Sequence, residues 1–219
     1  MADPFIALEV IGTVAFAASG SAVAIRAGMD WLGVIVLAMV TAVGGGTLRD
    51  LLLGHVPVFW MEHPWPLAVA LATAVVVIII GSRSPHQTID SLAPMLIADA
   101  IGLAAFTVNG TQISIDAGES GINAVILGVL TGAGGGVIRD VLASQRPLIL
   151  IGQIYALAAI AGSSLIVALE AWHVPGGISR ALALVLILSI RLAALRWNWA
   201  LPRFTATPQD PSGEESTRG

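Results

Sequence analysis

The stretch "TAVGGGTLRDLLLG", from Thr41 to Gly54, places three consecutive glycines shortly before an adjacent arginine and aspartate, Arg49 and Asp50. It lies inside a long apolar run. A glycine in a helix interior costs about 1 kcal/mol relative to alanine. An ionisable side chain in hydrocarbon costs more, and such groups normally face the inside of a bundle. A span carrying both features is therefore expected to turn this face toward protein or water.

The motif occurs twice. "TAVGGGTLRDLLLGHVP" from Thr41 is answered by "TGAGGGVIRDVLASQRP" from Thr131, at an offset of 90 residues. The offset extends upstream without a gap. "GTVAFAASG" (Gly12–Gly20) matches "GLAAFTVNG" (Gly102–Gly110), and Glu9 matches Asp99. Residues 9–60 and 99–150 share about 17 identities, too many for chance in one ungapped alignment.

Composition assigns the chain to the membrane. Of its 219 residues, 56% are hydrophobic and 11% charged, and the mean hydropathy is +0.88. Ordinary soluble domains carry roughly 25% charged residues. Cysteine is absent, which excludes disulfides and thiol chemistry. The net charge is −4, and no basic patch suggests nucleic acid. The N-terminal "MADPFIALEV" has no basic segment ahead of its apolar run, so it reads as a true span and not a cleaved signal.

A crossing helix needs about 20 mostly apolar residues. That rule gives an all-α membrane protein with seven spans, at roughly 5–25, 31–53, 66–82, 93–113, 121–143, 148–170 and 178–197. Residues 1–200 form one transmembrane domain, with repeat 1 at about 5–82, repeat 2 at about 93–170 and the seventh helix outside the symmetry. Arg180 and Arg191 interrupt that helix, and Arg191 is expected to snorkel to the interface. Residues 201–219 read as a disordered cytoplasmic tail, being polar and rich in Pro, Gly and Ser.

Each repeat holds three spans, so the second copy must insert upside down relative to the first. The arginines agree. All ten cationic side chains are Arg; Arg26, Arg83 and Arg146 fall in the first, third and fifth connections, and Arg196 and Arg203 follow the last span. The positive-inside rule places the N-terminus outside and the C-terminus in the cytoplasm.

Glycine triplets at matching inverted positions are expected to open helices 2 and 5, because freed backbone groups are tolerated where they line a cavity. The primary pathway candidates are Gly44, Gly45, Gly46, Arg49 and Asp50 with Gly134, Gly135, Gly136, Arg139 and Asp140. Sequence neighbours on a helix point about 100° apart, so each arginine is expected to find a partner other than the adjacent aspartate. Glu9 and Asp99 are candidates. Asp50 and Asp140 are placed to cap the N–H groups freed by the break. Asn109, Thr41 and Thr131 are secondary candidates, although a membrane Thr most often bonds its own backbone. The four histidines lie in connections with no metal-binding spacing. No nucleophile elbow, P-loop or cofactor motif is present, so neither an enzyme nor a cofactor is expected.

Seven spans, inverted three-helix repeats and a doubled GGGxxRD motif make the chain resemble the prokaryotic TRIC proteins, the trimeric intracellular cation channels. The resemblance covers about residues 5–200. It implies a homotrimer in the cell inner membrane, with a pore in each subunit between kinked helices 2 and 5, passing K⁺ and Na⁺. Animal members bind a phosphoinositide through a lysine-bearing motif, which has no counterpart in a chain without Lys. The same domain has been labelled a glycine transporter family. That label supplies the alternative, a secondary transporter of a small amino acid held at the midplane.

Overall fold

The computed structural model describes residues 4–83, 92–150, 154–197 and 199, and the fold among them is wholly helical. The long helices are α1 (Pro4–Arg26), α2 (Trp31–Leu53), α4 (Trp65–Arg83), α5 (Leu92–Asp116), α6 (Gly121–Leu142), α7 (Tyr155–Ala171) and α8 (Gly176–Arg196). A short α3 (Phe59–Glu62) lies between α2 and α4, and a single 3₁₀ turn (Leu148–Leu150) follows α6. Six helices are long and apolar enough to cross a membrane, and α7 is a shorter apolar helix. The chain is a multi-pass membrane protein. Apolar side chains such as Val36, Leu52, Ile126 and Val185 face outward, as a lipid-solvated surface requires.

The sixth span begins at Tyr155, not near 148 as expected. Pro147 and the 3₁₀ turn after it occupy the start of that apolar run, which hydropathy alone cannot separate from a helix. The tail assigned to residues 201–219 lies outside the described residues.

The two repeats fold alike down to their turns. α1 and α5 each end on a left-handed glycine, Gly28 (φ 72°) and Gly118 (φ 85°), a conformation open to a residue without Cβ. The next residue donates back into the helix: Met29 to the Ala24 carbonyl and Glu119 to the Ser114 carbonyl, both at 3.0 Å. α2 and α6 then start on side-chain caps. Asp30 accepts from the Gly33 N–H at 2.7 Å, and Ser120 accepts from the Asn123 N–H at 3.3 Å.

Contacts between the repeats are reciprocal, and their register gives the direction of the helices. A Cβ on Gly12 would stand 3.0 Å from the Phe106 ring, and one on Gly102 would stand 2.1 Å from the Phe16 ring. As the residue number rises on α1 it falls on α5, so the two helices are antiparallel. Phe16 and Phe106 meet near the pseudo-twofold axis, with ring centroids 5.3 Å apart. Around them Ala17, Ala38, Ala42, Ala70 and Ala74 are buried, and these small side chains let the helices approach closely. α8 stands apart from this symmetry and packs on α7 and α5.

Candidate ion pathway at the crossing of two glycine-bearing helices

α2 and α6 cross antiparallel at the glycine triplets. A Cβ on Gly45 would lie 2.0 Å from the Thr131 carbonyl oxygen, and one on Gly135 would lie 2.2 Å from the Thr41 carbonyl oxygen. Gly44 meets Ile138, and Gly134 meets Leu48 in the same reciprocal way. Both helices run uninterrupted through their triplets. The expected opening of helices 2 and 5 is therefore corrected. The glycines keep their helical hydrogen bonds, and the missing side chains let two backbones touch. Gly46 and Gly136 face elsewhere, toward the Phe59 ring and the Tyr155 hydroxyl. Thr41 and Thr131 donate to the carbonyls of Leu37 and Leu127, each at 2.6 Å. Their hydroxyls are thus held by their own helices, and their carbonyls face the crossing.

One Arg–Asp cluster sits on each side of the crossing. In the repeat-1 cluster, Arg49 donates to Asp50 Oδ1 from Nε at 2.8 Å and from Nη2 at 2.6 Å. In the repeat-2 cluster, Arg139 Nε donates to Asp140 Oδ1 at 2.8 Å. The expectation that sequence neighbours would not pair is corrected. The long guanidinium arm folds back across the 100° between the two side chains, because leaving either charge unpaired while buried would cost several kcal/mol.

The second oxygen of each aspartate also has a partner. Asp50 Oδ2 accepts the Phe59 N–H at 2.8 Å, and Asp140 Oδ2 accepts the Leu148 N–H at 2.9 Å. The aspartates do cap exposed N–H groups. Those groups belong to the short helical turns that follow α2 and α6, since the triplets leave none free. Each aspartate thereby ties its arginine to the segment leading out of the helix.

Partners from other helices differ between the clusters. Arg139 Nη1 donates to Asp99 Oδ1 at 2.6 Å and to Ser19 Oγ at 2.5 Å. Asp99 is the partner expected from sequence. Ser19 was not singled out as one, and the 90-residue offset, which equates it with Asn109, was the available signal. Glu9, the counterpart of Asp99, is within electrostatic range of Arg49, Asp50 and His63. Among the described residues it forms no ion pair, and the Arg49 guanidinium carbon stands 5.6 Å from the Phe59 ring centre. Asn109 is 2% exposed, and its Oδ1 has no hydrogen-bond donor among the described residues.

Solvent access differs as well. Beside Arg49 and Asp50 lies a cavity with about 350 Å³ of room for water, lined also by His55, Phe59, Glu62 and Ile113. The space beside Arg139 and Asp140, closed by Leu148 and Tyr155, has none. Arg191 does not snorkel as expected. It is fully buried, and its guanidinium carbon lies 4.6 Å from the Tyr155 ring centre. A cation over an aromatic face gains electrostatic attraction in place of hydration.

Inverted three-helix repeats, an antiparallel glycine crossing and paired buried charges define a polytopic membrane protein of the TRIC class. A family model described as "Glycine transporter" matches residues 6–82 and 96–171, and the chain belongs to that family, which includes the prokaryotic TRIC channels. Among its relatives is the UPF0126 inner membrane protein YadS of Escherichia coli (strain K12), 44% identical over 90% of this chain and 94% of that one. Two solved structures share the fold. One is a TRIC trimeric intracellular cation channel orthologue from Rhodobacter sphaeroides, 36% identical, with a TM-score of 0.83 over 89% of this chain and 98% of that one. The other is a prokaryotic TRIC channel in 0.5 M KCl, 28% identical, with a TM-score of 0.84 over 92% of this chain and all of that one.

Proposed function

We propose that the protein is a monovalent cation channel, passing K⁺ and also Na⁺, with a pore inside each subunit of a homotrimer. The supporting observation is the antiparallel crossing of α2 and α6 with a buried Arg–Asp cluster on either side, in a fold shared with TRIC cation channels. The relatives that carry this fold are channels and not enzymes. The crossing is the constriction, where Gly45 and Gly135 let the Thr131 and Thr41 carbonyls come close to the path, with Gly44 and Gly134 beside them. Asp50 and Asp140 supply the charge that offsets a cation's lost hydration, and Arg49 and Arg139 hold those carboxylates in place. Glu9 adds negative charge near the repeat-1 cluster, and the buried Asp99 and Asn109 stand behind the path.

Helix alternation supports an orientation. Arg26, Arg83, Arg146 and Arg196 are exposed at helix ends that fall on one side of the bundle. By the positive-inside rule that side is cytoplasmic. The N-terminus and the repeat-1 cluster then face out, and the C-terminus and the repeat-2 cluster face in. Relatives named as inner membrane proteins support an inner-membrane location.

The test is single-channel recording of purified protein in a planar bilayer. Discrete steps with K⁺ and Na⁺, and a reversal potential set by cations, are expected. The family's description as glycine transporters supplies the second reading. Saturable glycine uptake into vesicles without conductance steps would replace the channel with a transporter.

A further inference from the structure

The two repeats match in backbone and differ in charge. Around the repeat-2 cluster, Arg139 faces Asp99 and Asp140, and Tyr155 stands between this group and Arg191 of α8. Arg191 and Asp99 are close enough for their charges to interact. Two arginines thus balance two carboxylates. The repeat-1 cluster has a single arginine, Arg49, against Asp50 and Glu9, with His63 also near Glu9. Repeat 1 has no counterpart of Arg191, because α8 follows the second repeat and packs on α7 and α5. Under the 90-residue offset, Tyr155 corresponds to Trp65. Water access follows the same asymmetry, with the cavity on the repeat-1 side.

We propose that Arg191 is the counter-charge that neutralises the repeat-2 cluster, so that cations enter more readily from the repeat-1 mouth and the channel rectifies. This rests on reading the α2–α6 crossing as the ion pathway. One unpaired carboxylate about 10 Å from an entering ion, in a water-like dielectric, raises local cation occupancy about twofold. The Debye length falls from about 30 Å at 0.01 M salt to about 3 Å at 1 M, so screening trims that unscreened gain to about 1.7-fold at about 0.01 M and removes it at about 1 M. Arg191 acts through its charge on the cluster and is a positioning residue that no ion touches.

The experiment is the current–voltage relation of single channels in symmetric KCl. Polarity is referenced to the side on which a cysteine at position 55 is modified. Wild type is expected to pass about 1.7 times the cation current from the repeat-1 side at about 0.01 M, with the ratio approaching one at about 1 M. Arg191→Gln adds a net negative charge to the repeat-2 cluster and should bring the ratio near one at low salt. Arg191→Lys keeps the charge and should keep the ratio, which a purely structural role for the guanidinium would not. Glu9→Gln, on a less buried side chain, tests the other mouth and should lower the rectification, with Glu62 still lining the cavity. A conducting wild type with a linear relation at low salt overturns the proposal and leaves the channel reading intact. So does an Arg191→Gln channel that rectifies like wild type, or an Arg191→Lys channel that does not rectify. Wild type without any cation current removes the channel reading itself and the proposal with it.

Discussion

Gly45 and Thr131 are in backbone contact across the α2–α6 crossing, and the pseudo-twofold axis repeats that contact between Gly135 and Thr41. A methyl group at Gly45 would meet a carbonyl oxygen, which cannot rotate away. One at Gly44 would meet the flexible end of Ile138, 2.8 Å away. Overpacking of a rigid contact costs about 1–3 kcal/mol. Gly45→Ala and Gly135→Ala are therefore expected to lower thermal stability in detergent and to reduce K⁺ flux. Gly44→Ala and Gly134→Ala should do markedly less of both. Equal effects at all four positions, measured by thermal melts and vesicle flux, would remove the special role of the crossing pair.

A second expectation concerns the two oxygens of each aspartate. Asp50 and Asp140 each accept from an arginine on one oxygen and from a backbone N–H on the other. Asparagine keeps only one acceptor and presents N–H groups where the other stood. Asp50→Asn and Asp140→Asn should each lose one of the two bonds, along with the charge beside the path. Altered K⁺ conductance or open probability is expected in both, with the larger loss of stability at Asp140, in the drier cluster. Unchanged conductance, gating and K⁺/Cl⁻ selectivity in both variants and in the double variant would reduce the aspartates to caps.

All seven long helices can be read from the sequence because hydropathy alone marks a span, the sixth with its start placed too early, and the 90-residue offset reveals the inverted repeat. What was missed belongs to contacts between spans. A glycine triplet looks the same in a sequence whether it opens a helix or lets one touch another, and only the approach of Thr131 and Thr41 decides. Arg191 reads as a snorkelling residue because Tyr155, which receives it, begins a helix on a different segment. The Asp99–Arg139 pair was legible because two opposite charges buried in one apolar repeat have few alternatives. Ser19 was not, since a hydroxyl in a membrane helix usually satisfies itself locally.

The pair formed by Arg139 and Asp99 is closed to solvent on both sides, at 2.6 Å. Removing one partner of such a buried pair costs about 3–5 kcal/mol, because the other charge is left uncompensated. Asp99→Asn leaves Arg139 with Asp140 and Ser19, whereas Arg139→Gln leaves two carboxylates facing each other. Arg139→Gln should therefore be the more destabilising single change. The double variant Asp99→Asn/Arg139→Gln should recover part of the loss. A double-mutant cycle on unfolding in detergent measures this coupling, and additive effects would mean that the pair contributes little.

The inverted repeat makes a sharp demand on topology. His55 and Gln145 are related by the 90-residue offset, and both are exposed just past the ends of α2 and α6. Their backbones are held alike: the His55 N–H donates to the Asp50 carbonyl at 2.8 Å, and the Gln145 N–H to the Asp140 carbonyl at 2.7 Å. With three long helices between one position and its counterpart, the two must emerge on opposite faces of the membrane. The chain has no cysteine, so single substitutions give a clean background. In intact cells, His55→Cys is expected to react with a membrane-impermeant maleimide added outside. Gln145→Cys should react only after the membrane is opened. A cysteine at His63, in the same connection as His55, should follow His55, and one at Thr207 should follow Gln145. Modification of positions 55 and 145 from the same side would break the inversion, and with it the antiparallel crossing on which the ion pathway is built.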